Sequence, residues 1–183
     1  SYQVVATVEG VSSPAFFELT NTPGAVGSVV AIAGTPQSTV VGSPFSARLA
    51  VRLGDASGNP VADAPVLFSA PASGVSGSFA QGVTDSARTD KSGTAIASHL
   101  SANTVAGTFT VTAATPGVLS QATFLLTNTA GPVDTFLIDA AGGGPIGTQT
   151  AQVPFNIRIS ANDQYGNRAT QFSSTVDITS NGV

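Results

Sequence analysis

Cysteine, methionine and tryptophan are absent from the sequence, and charged residues make up only 9% of it. Without cysteine the chain can form neither a disulfide nor a thiolate metal site. Six basic residues against ten acidic ones give a net charge of −4, so the chain has no basic stripe for binding nucleic acid. No apolar run approaches the ~20 residues that cross a bilayer, and no membrane insertion is predicted for this segment.

The single histidine, His99, is the first residue to consider for catalysis. A Ser-His-Asp triad needs a histidine that is held by an acid and faces a nucleophile. In the predicted strand around it, Ile96 and Leu100 share one face, which places His99 with Ala95 and Ala97 on the other face, toward solvent. No Gly-x-Ser-x-Gly motif occurs either. We therefore predict no catalytic residue, and the chain is not expected to be an enzyme.

Three aspartates, Asp55, Asp90 and Asp163, could in principle ligate Ca²⁺. Calcium takes roughly six to eight oxygens, and a dedicated loop has acids at alternate positions. Each of these aspartates instead stands alone before a Gly-Asn or Ser-Gly pair, a pattern typical of a side chain that caps a turn. The glycines at 142–144 lack the Gly-Lys-Ser/Thr of a phosphate loop and predict a turn. No metal-binding residue, cofactor-binding residue or cofactor is predicted.

An internal repeat organises the chain, and such repeats are sought before anything else. Residues 4–26 align without a gap with residues 111–133, an offset of 107. The positions that agree are Val4, Ala6, Gly10, Val11, Ser13, Ala15, Phe17, Leu19, Thr20, Asn21, Thr22, Gly24 and Val26. The similarity continues beyond this stretch, since residues 45–48 recur at 155–158 and residues 55–59 recur at 163–167.

The repeat predicts how the chain is divided. Residues 1–22 are the last two strands of one repeat, residues 23–129 are a complete repeat, and residues 130–183 open a third. The complete unit has close to the ~100 residues of an immunoglobulin-type sandwich. Neither flanking piece could bury a core alone, so we expect a longer polypeptide or a neighbouring chain to complete each of them.

Period-two alternation of apolar residues predicts an all-β sandwich. Residues 45–53 place Phe45, Ala47, Leu49, Val51 and Leu53 on one face, and the third repeat does the same with Phe155, Ile157 and Ile159. Similar alternation runs through residues 109–113, 122–126 and 15–19. The predicted strands of the complete repeat are 26–33, 37–41, 44–54, 65–70, 76–80, 94–101, 107–114 and 120–127.

Four short motifs occur in order within residues 23–129. They are Asp55-x-x-Gly58-Asn59-Pro60-Val61, Val66-x-Phe68-Ser69, Thr89-Asp90-x-x-Gly93-x-Ala95 and Ala106-Gly107-x-x-x-Val111-x-Ala113. In these motifs the chain resembles the bacterial immunoglobulin-like domain of the invasin and intimin type, and filamin-type repeats are a weaker match. In the third repeat Arg168-Ala169 replaces Pro60-Val61, a departure from the family pattern. The resemblance implies stacked domains of a rigid extracellular stalk on a bacterial surface, and it implies no catalytic residues.

Three functions are compatible with these observations. The first is a structural stalk or spacer in a bacterial surface adhesin or appendage, whose partners are neighbouring repeats in the same or adjacent chains and whose receptor would bind another domain. The second is a subunit of an extracellular filament or sheath that is completed by strand exchange between chains. The third is a glycan- or protein-binding module that uses the long loops 71–93 and 140–152.

Overall fold

The computed structural model describes residues 1–179, and within them it contains strands, turns and loops but no helix. The predicted all-β sandwich class is confirmed. No helix of the length and apolar character needed to cross a membrane occurs in this part of the chain. The strands are β1 Tyr2–Ala6, β2 Ala15–Leu19, β3 Val26–Ala33, β4 Gln37–Val40, β5 Ala50–Asp55, β6 Pro65–Ser69, β7 Gly77–Ser78, β8 Thr84–Arg88, β9 Thr94–Ile96, β10 Ser101–Ala102, β11 Gly107–Ala114, β12 Ala122–Thr129, β13 Thr135–Ala140 and β14 Ile157–Asn162.

Strands β3 to β12 form what we call the central sandwich. Its larger sheet has the order β4-β12-β11-β6-β8 and its smaller sheet the order β3-β5-β9, with a short β7-β10 pair beside them. All neighbours in the two larger sheets are antiparallel except β4, which runs parallel to β12. The chain passes from β3 to β4 through Gly34, whose φ is +88° and where a Cβ would lie 2.7 Å from the carbonyl oxygen of Arg48. Only glycine fits at this change of sheet.

The core of the central sandwich lies between the two sheets. Alternate residues of facing strands are buried in it, including Val51, Leu53, Val66, Phe68, Val111, Phe124 and Leu126. The ring centroids of Phe68 in β6 and Phe124 in β12 are 6.1 Å apart, and those of Phe45 and Phe109 are also 6.1 Å apart. The buried faces of β11 and β12 are those that the alternation predicts.

Two hairpins flank the central sandwich, and both have exposed apolar faces. The N-terminal hairpin, β1–β2, exposes Phe17 at 54%, whereas Phe124, 107 positions later, is 0% exposed in the core. The C-terminal hairpin, β13–β14, likewise leaves Phe136 and Ile138 about half exposed. The alternation predicted a buried face for Phe155, Ile157 and Ile159. Phe155 instead lies outside β14 and is exposed, Ile157 is exposed as well, and Ile159 is only partly buried.

The predicted strand 44–54 is wrong in its first half, because β5 begins only at Ala50. Phe45 and Leu49 are buried as expected, but Ala47 is exposed. The side chain of Gln37 accounts for the difference: its Nε2 donates to the carbonyl of Ala47 at 2.8 Å, and its Oε1 accepts the N–H of Ala47 at 3.1 Å. A side chain thus replaces a neighbouring strand as the hydrogen-bond partner of this segment.

The predicted strand 94–101 is also interrupted, since β9 ends at Ile96 and β10 starts at Ser101. His99 is exposed, as expected. The predicted faces of the strand are wrong, however, because Ala95 and Ala97 are buried and Ile96 is exposed. Small side chains face the core here, and the irregular stretch after Ile96 breaks the alternation. The predicted long loop 71–93 contains a strand as well, β8, which pairs with β6.

The matched positions Phe124 and Phe17 give a direct test of the core. Replacing Phe124 by Ala is expected to lower the free energy of unfolding of the central sandwich by about 3–5 kcal/mol, because a cavity remains in a closely packed interior. Phe17→Ala is the control, with an expected change of less than about 0.5 kcal/mol at an exposed position. Urea denaturation followed by circular dichroism measures both. Equal losses would mean that Phe17 is buried in solution.

Candidate functional site: the junction loops

The loop after β5 is built around the carboxylate of Asp55. Its Oδ1 accepts the backbone N–H groups of Ser57 and Asn59, both at 2.9 Å, and its Oδ2 accepts the side-chain amide of Asn59 at 3.0 Å. Gly58 turns the chain with φ +80°. The fourth donor is the backbone N–H of Gly24, 3.0 Å from Oδ2, which lies in the segment that enters β3. Asp55 therefore ties its own turn to the segment that links the N-terminal hairpin to the central sandwich.

The loop after β14 repeats this arrangement around Asp163. Its Oδ1 accepts the N–H groups of Tyr165 and Asn167 at 2.9 Å, and its Oδ2 accepts the side-chain amide of Asn167 at 2.9 Å. The N–H of Gly131, the residue 107 positions after Gly24, donates to Oδ2 at 2.8 Å. Gly166 has φ +82°, so the backbone turns in the same way as at Gly58. Both loops thus hold a linker segment with one aspartate.

The loop between β8 and β9 has the same turn but holds no linker. Asp90 accepts the N–H groups of Ser92 and Thr94 at 2.8 and 3.0 Å, and also the hydroxyl of Ser92 at 2.6 Å. Thr94 stands where the other two loops have asparagine. The prediction that Asp55, Asp90 and Asp163 cap turns is confirmed, and the three lie in separate turns. Within residues 1–179 no group of three or more His, Cys, Asp and Glu side chains converges on a common point.

Hydrogen bonding lowers the pKa of all three aspartates. The side-chain amide of Asn59, followed by the N–H of Gly24, lowers the pKa of Asp55 to about 2. Burial raises the pKa of Asp163, but the bonds from Asn167 and Gly131 outweigh it, so the pKa is lowered. The Ser92 hydroxyl and the N–H of Thr94 lower the pKa of Asp90. These carboxylates are therefore ionised in the folded chain at neutral pH.

Asn167 also binds the central sandwich across the junction. Its Oδ1 accepts the N–H of Ala106 at 2.8 Å, and its Nδ2 donates to the carbonyl of Thr104 at 2.9 Å. The second hydrogen of Nδ2 is free for the bond to Asp163. One carboxamide thus uses its acceptor and both of its donors to connect the loop before β11 with the turn after β14.

The loop that Asn167 binds is itself held from inside the central sandwich by Asn128, which is 2% exposed. Its Nδ2 lies within 3.1 Å of three acceptors: the carbonyl oxygens of Ser76 and Val105 and the Oδ1 of Asn103. A buried amide with several partners fixes the conformation of the loops that it joins. These bonds hold Asn103 and Val105, and with them the loop at residues 103–106, from the side of the core.

The sequence identified the aspartates as turn caps, but the roles of Asn128 and Asn167 were not predicted from it. The signal was available in the recurrence of asparagine at fixed places, since Asn59 recurs as Asn167 and Asn21 recurs as Asn128. Their partners could not be found by spacing, because Ala106 lies 61 positions from Asn167. His99 lies outside these loops and is exposed.

No protein-family model matches the chain, and no curated protein matches it. Several solved structures resemble parts of the chain. The S-layer protein SbsC domains 4 and 5 are 12% identical with TM-score 0.44, covering 69% of this chain and 65% of that one, and SbsC domains 4–9 are 17% identical with TM-score 0.44, covering 96% and 27%. A glycosyl hydrolase family 2 member from Bacteroides cellulosilyticus is 19% identical with TM-score 0.41, covering 67% and 18%. These identities and TM-scores leave the function to be argued from the chain's own residues.

The lowered pKa of Asp55 makes a prediction about acid stability. The pKa of the Asp55 carboxyl is lowered from its ordinary value of 3.8 to about 2 in the folded chain, so its charge stabilises the fold fully above pH 3.8 and this contribution is lost as the pH falls through about 2. The difference in melting temperature between the natural chain and Asp55→Asn should therefore be largest above about pH 4 and should shrink as the pH falls to about 2. Scanning calorimetry between pH 2 and 7 measures this, with the exposed Glu9→Gln as the control. A difference that does not change with pH would contradict the role of the charge.

Proposed function

We propose that this chain is part of a structural stalk or spacer of tandem immunoglobulin-like domains in an extracellular bacterial surface protein, an adhesin or appendage, and that it has no catalytic role. In this proposal residues 1–22 belong to a preceding repeat, 23–129 are a complete repeat, and 130–183 begin the next. The partners are neighbouring repeats, and a receptor would bind elsewhere on the parent protein. The observation that carries the proposal is the junction at Asn167, which hydrogen-bonds the loop of one unit to the turn of the next.

A stalk needs junctions that resist bending, since domains joined by a plain linker move relative to each other by default. Here the linker is fixed at Gly131 by Asp163, and the turn beyond it is fixed to the central sandwich by Asn167. Each such bond contributes about 1 kcal/mol, and bonds to an ionised carboxylate contribute more. The linker and the loop before β11 are thus both bound to the same turn, which restricts the translation and the rotation of the following unit.

The surface chemistry also favours a structural role. Only 9% of the residues are charged, and the outer face of β11 and β12 presents threonine hydroxyls beside the exposed Leu125. Thr108 and Thr127, for example, face each other across β11 and β12 with their hydroxyl oxygens 3.1 Å apart. A stack of such units contacts mainly its own neighbours, as expected of a spacer that adds length.

The rigidity of the junction can be measured with spin labels, because the chain has no native cysteine to interfere. With labels at Ser86→Cys in β8 and Thr135→Cys in β13, Asn167→Ala is expected to broaden the distribution of distances measured by double electron–electron resonance. Asn59→Ala is the matched control, because it removes the same bond to an aspartate while the described residues give Asn59 no bond across a junction. Equal widths in the natural chain and in Asn167→Ala would refute the stiff-spacer proposal.

A second candidate function, a self-assembling filament or sheath, is favoured by the exposed apolar faces of the two hairpins. By the repeat offset, β1–β2 corresponds to β11–β12 of the larger sheet, and β13–β14 corresponds to β3 and β5 of the smaller sheet. These two sheets face each other in the central sandwich. The hairpins of two chains could therefore pack together in the same way and bury surfaces that a soluble monomer rarely leaves open.

Sedimentation velocity at increasing protein concentration tests this second function. Self-association through the N-terminal hairpin should weaken at least about tenfold in Phe17→Ser, since the loss of a buried aromatic contact costs more than ~1.4 kcal/mol. Phe16→Ser is the control, because Phe16 is equally exposed but lies on the opposite face of β2. A chain that stays monomeric at all concentrations, or two variants with equal effects, would exclude association by this face.

A further inference from the structure

The cleft beside Asn59 is built from the same positions as the cleft beside Asn167. The Asn59 cleft has a volume of about 460 Å³ and the Asn167 cleft about 380 Å³. Six residues of the first cleft have counterparts lining the second: Asn21, Thr22, Pro23, Asn59, Pro60 and Ala62 correspond to Asn128, Thr129, Ala130, Asn167, Arg168 and Thr170. The second cleft has a further wall, which Ala106 and Gly107 supply from the loop before β11.

We infer that the Asn59 cleft is a docking site for the loop that corresponds to residues 103–107 in another copy of this repeat. The inference rests on the proposed function, and it names the residue and the backbone groups that would form a second junction. The Oδ1 of Asn59 accepts the N–H at the position of Ala106, and its Nδ2 donates to the carbonyl at the position of Thr104. The occupant is thus defined by backbone geometry rather than by side chains.

The hydrogen bonds already made by Asn59 leave it prepared for this contact. Its Nδ2 donates to Asp55 at 3.0 Å, as that of Asn167 donates to Asp163 at 2.9 Å, so both carboxamides are held at the same place in the same turn. Asn167 then uses its remaining donor and its acceptor on the neighbouring loop. Asn59 has the same two groups and lines the cleft, and among the described residues its side chain has no bond across the cleft.

The burial of the surrounding residues differs between the two clefts in the direction that docking requires. Ala130 and Gly131 are buried at the second junction, whereas Pro23 and Gly24, at the corresponding places, are exposed. Asn128 is 2% exposed, whereas Asn21 is exposed. The corresponding loop would cover these positions and give Asn21 the backbone acceptor that Asn128 has in the carbonyl of Val105.

The second junction has one contact that the first would lack. Tyr165 brings its hydroxyl close to Gly42 of the central sandwich, and Ser57 stands at the place of Tyr165 in the first loop. Docking at the Asn59 cleft therefore depends more heavily on the asparagine. This makes Asn59 the residue at which the inference is most easily tested.

The test adds a second copy of residues 23–107 directly in front of Ser1, so that Ser1 follows Gly107 as Thr108 does. The complete natural chain is retained. Hydrogen exchange measured by NMR reports on the N–H of the added Ala106. This N–H is expected to exchange about tenfold faster when Asn59→Ala is introduced into the extended chain, because a partly buried donor loses its acceptor. Exchange that is unchanged by Asn59→Ala would overturn the inference.

The natural Ala106 in the same molecule separates this inference from the proposed function. Asn167→Ala should accelerate exchange of that N–H by a similar factor. If Asn167→Ala has its effect and Asn59→Ala has none, the docking inference fails while the stiff junction stands. If neither has an effect, both fail.

A second variant tests the same hydrogen bond in case the Asn59→Ala chain does not fold. Ala106→Pro in the added copy removes the donor without touching Asn59, and the nitrogen shift of the Asn59 side chain should then move back toward its value in the unextended chain. A shift that is the same in all three chains would also overturn the inference.

Discussion

The carboxylate of Asp163 is the group on which the geometry of the junction depends. It accepts N–H groups from its own turn and from Gly131, and it orients the side chain of Asn167. An ionised carboxylate is well suited to this because it can accept several donors at once and binds them more strongly than a neutral carbonyl does. The lowered pKa of Asp163 is the electrostatic counterpart of the same arrangement.

A series of hydrogen bonds connects the core of the central sandwich to the linker at Gly131. Asn128 lies on β12, with its side chain buried, and fixes the loop at residues 103–106. That loop binds Asn167, which binds Asp163, which in turn holds the linker at Gly131. The position of the following unit is thus set by a continuous series of hydrogen bonds between backbone groups and short polar side chains.

Local sequence predicted those parts of the fold that depend on local chemistry. The alternation in residues 107–114 and 122–126 identified the buried faces of β11 and β12, because a strand between core and solvent needs one apolar and one polar face. It failed where another group intervenes. Gln37 takes over the hydrogen bonds of Ala47, and the irregular stretch after Ile96 reverses the faces around His99.

The sequence alone defined the class of the fold, the turns at Asp55, Asp90 and Asp163, and the correspondence between distant segments, since each of these follows from residue type and spacing. It did not define which segments touch. Asn167 and Thr104 are 63 positions apart, and a chain pattern carries no information on how two folded units are oriented. Only the packing of the sheets brings the loop before β11 to the turn after β14, because that packing fixes where each strand ends in space.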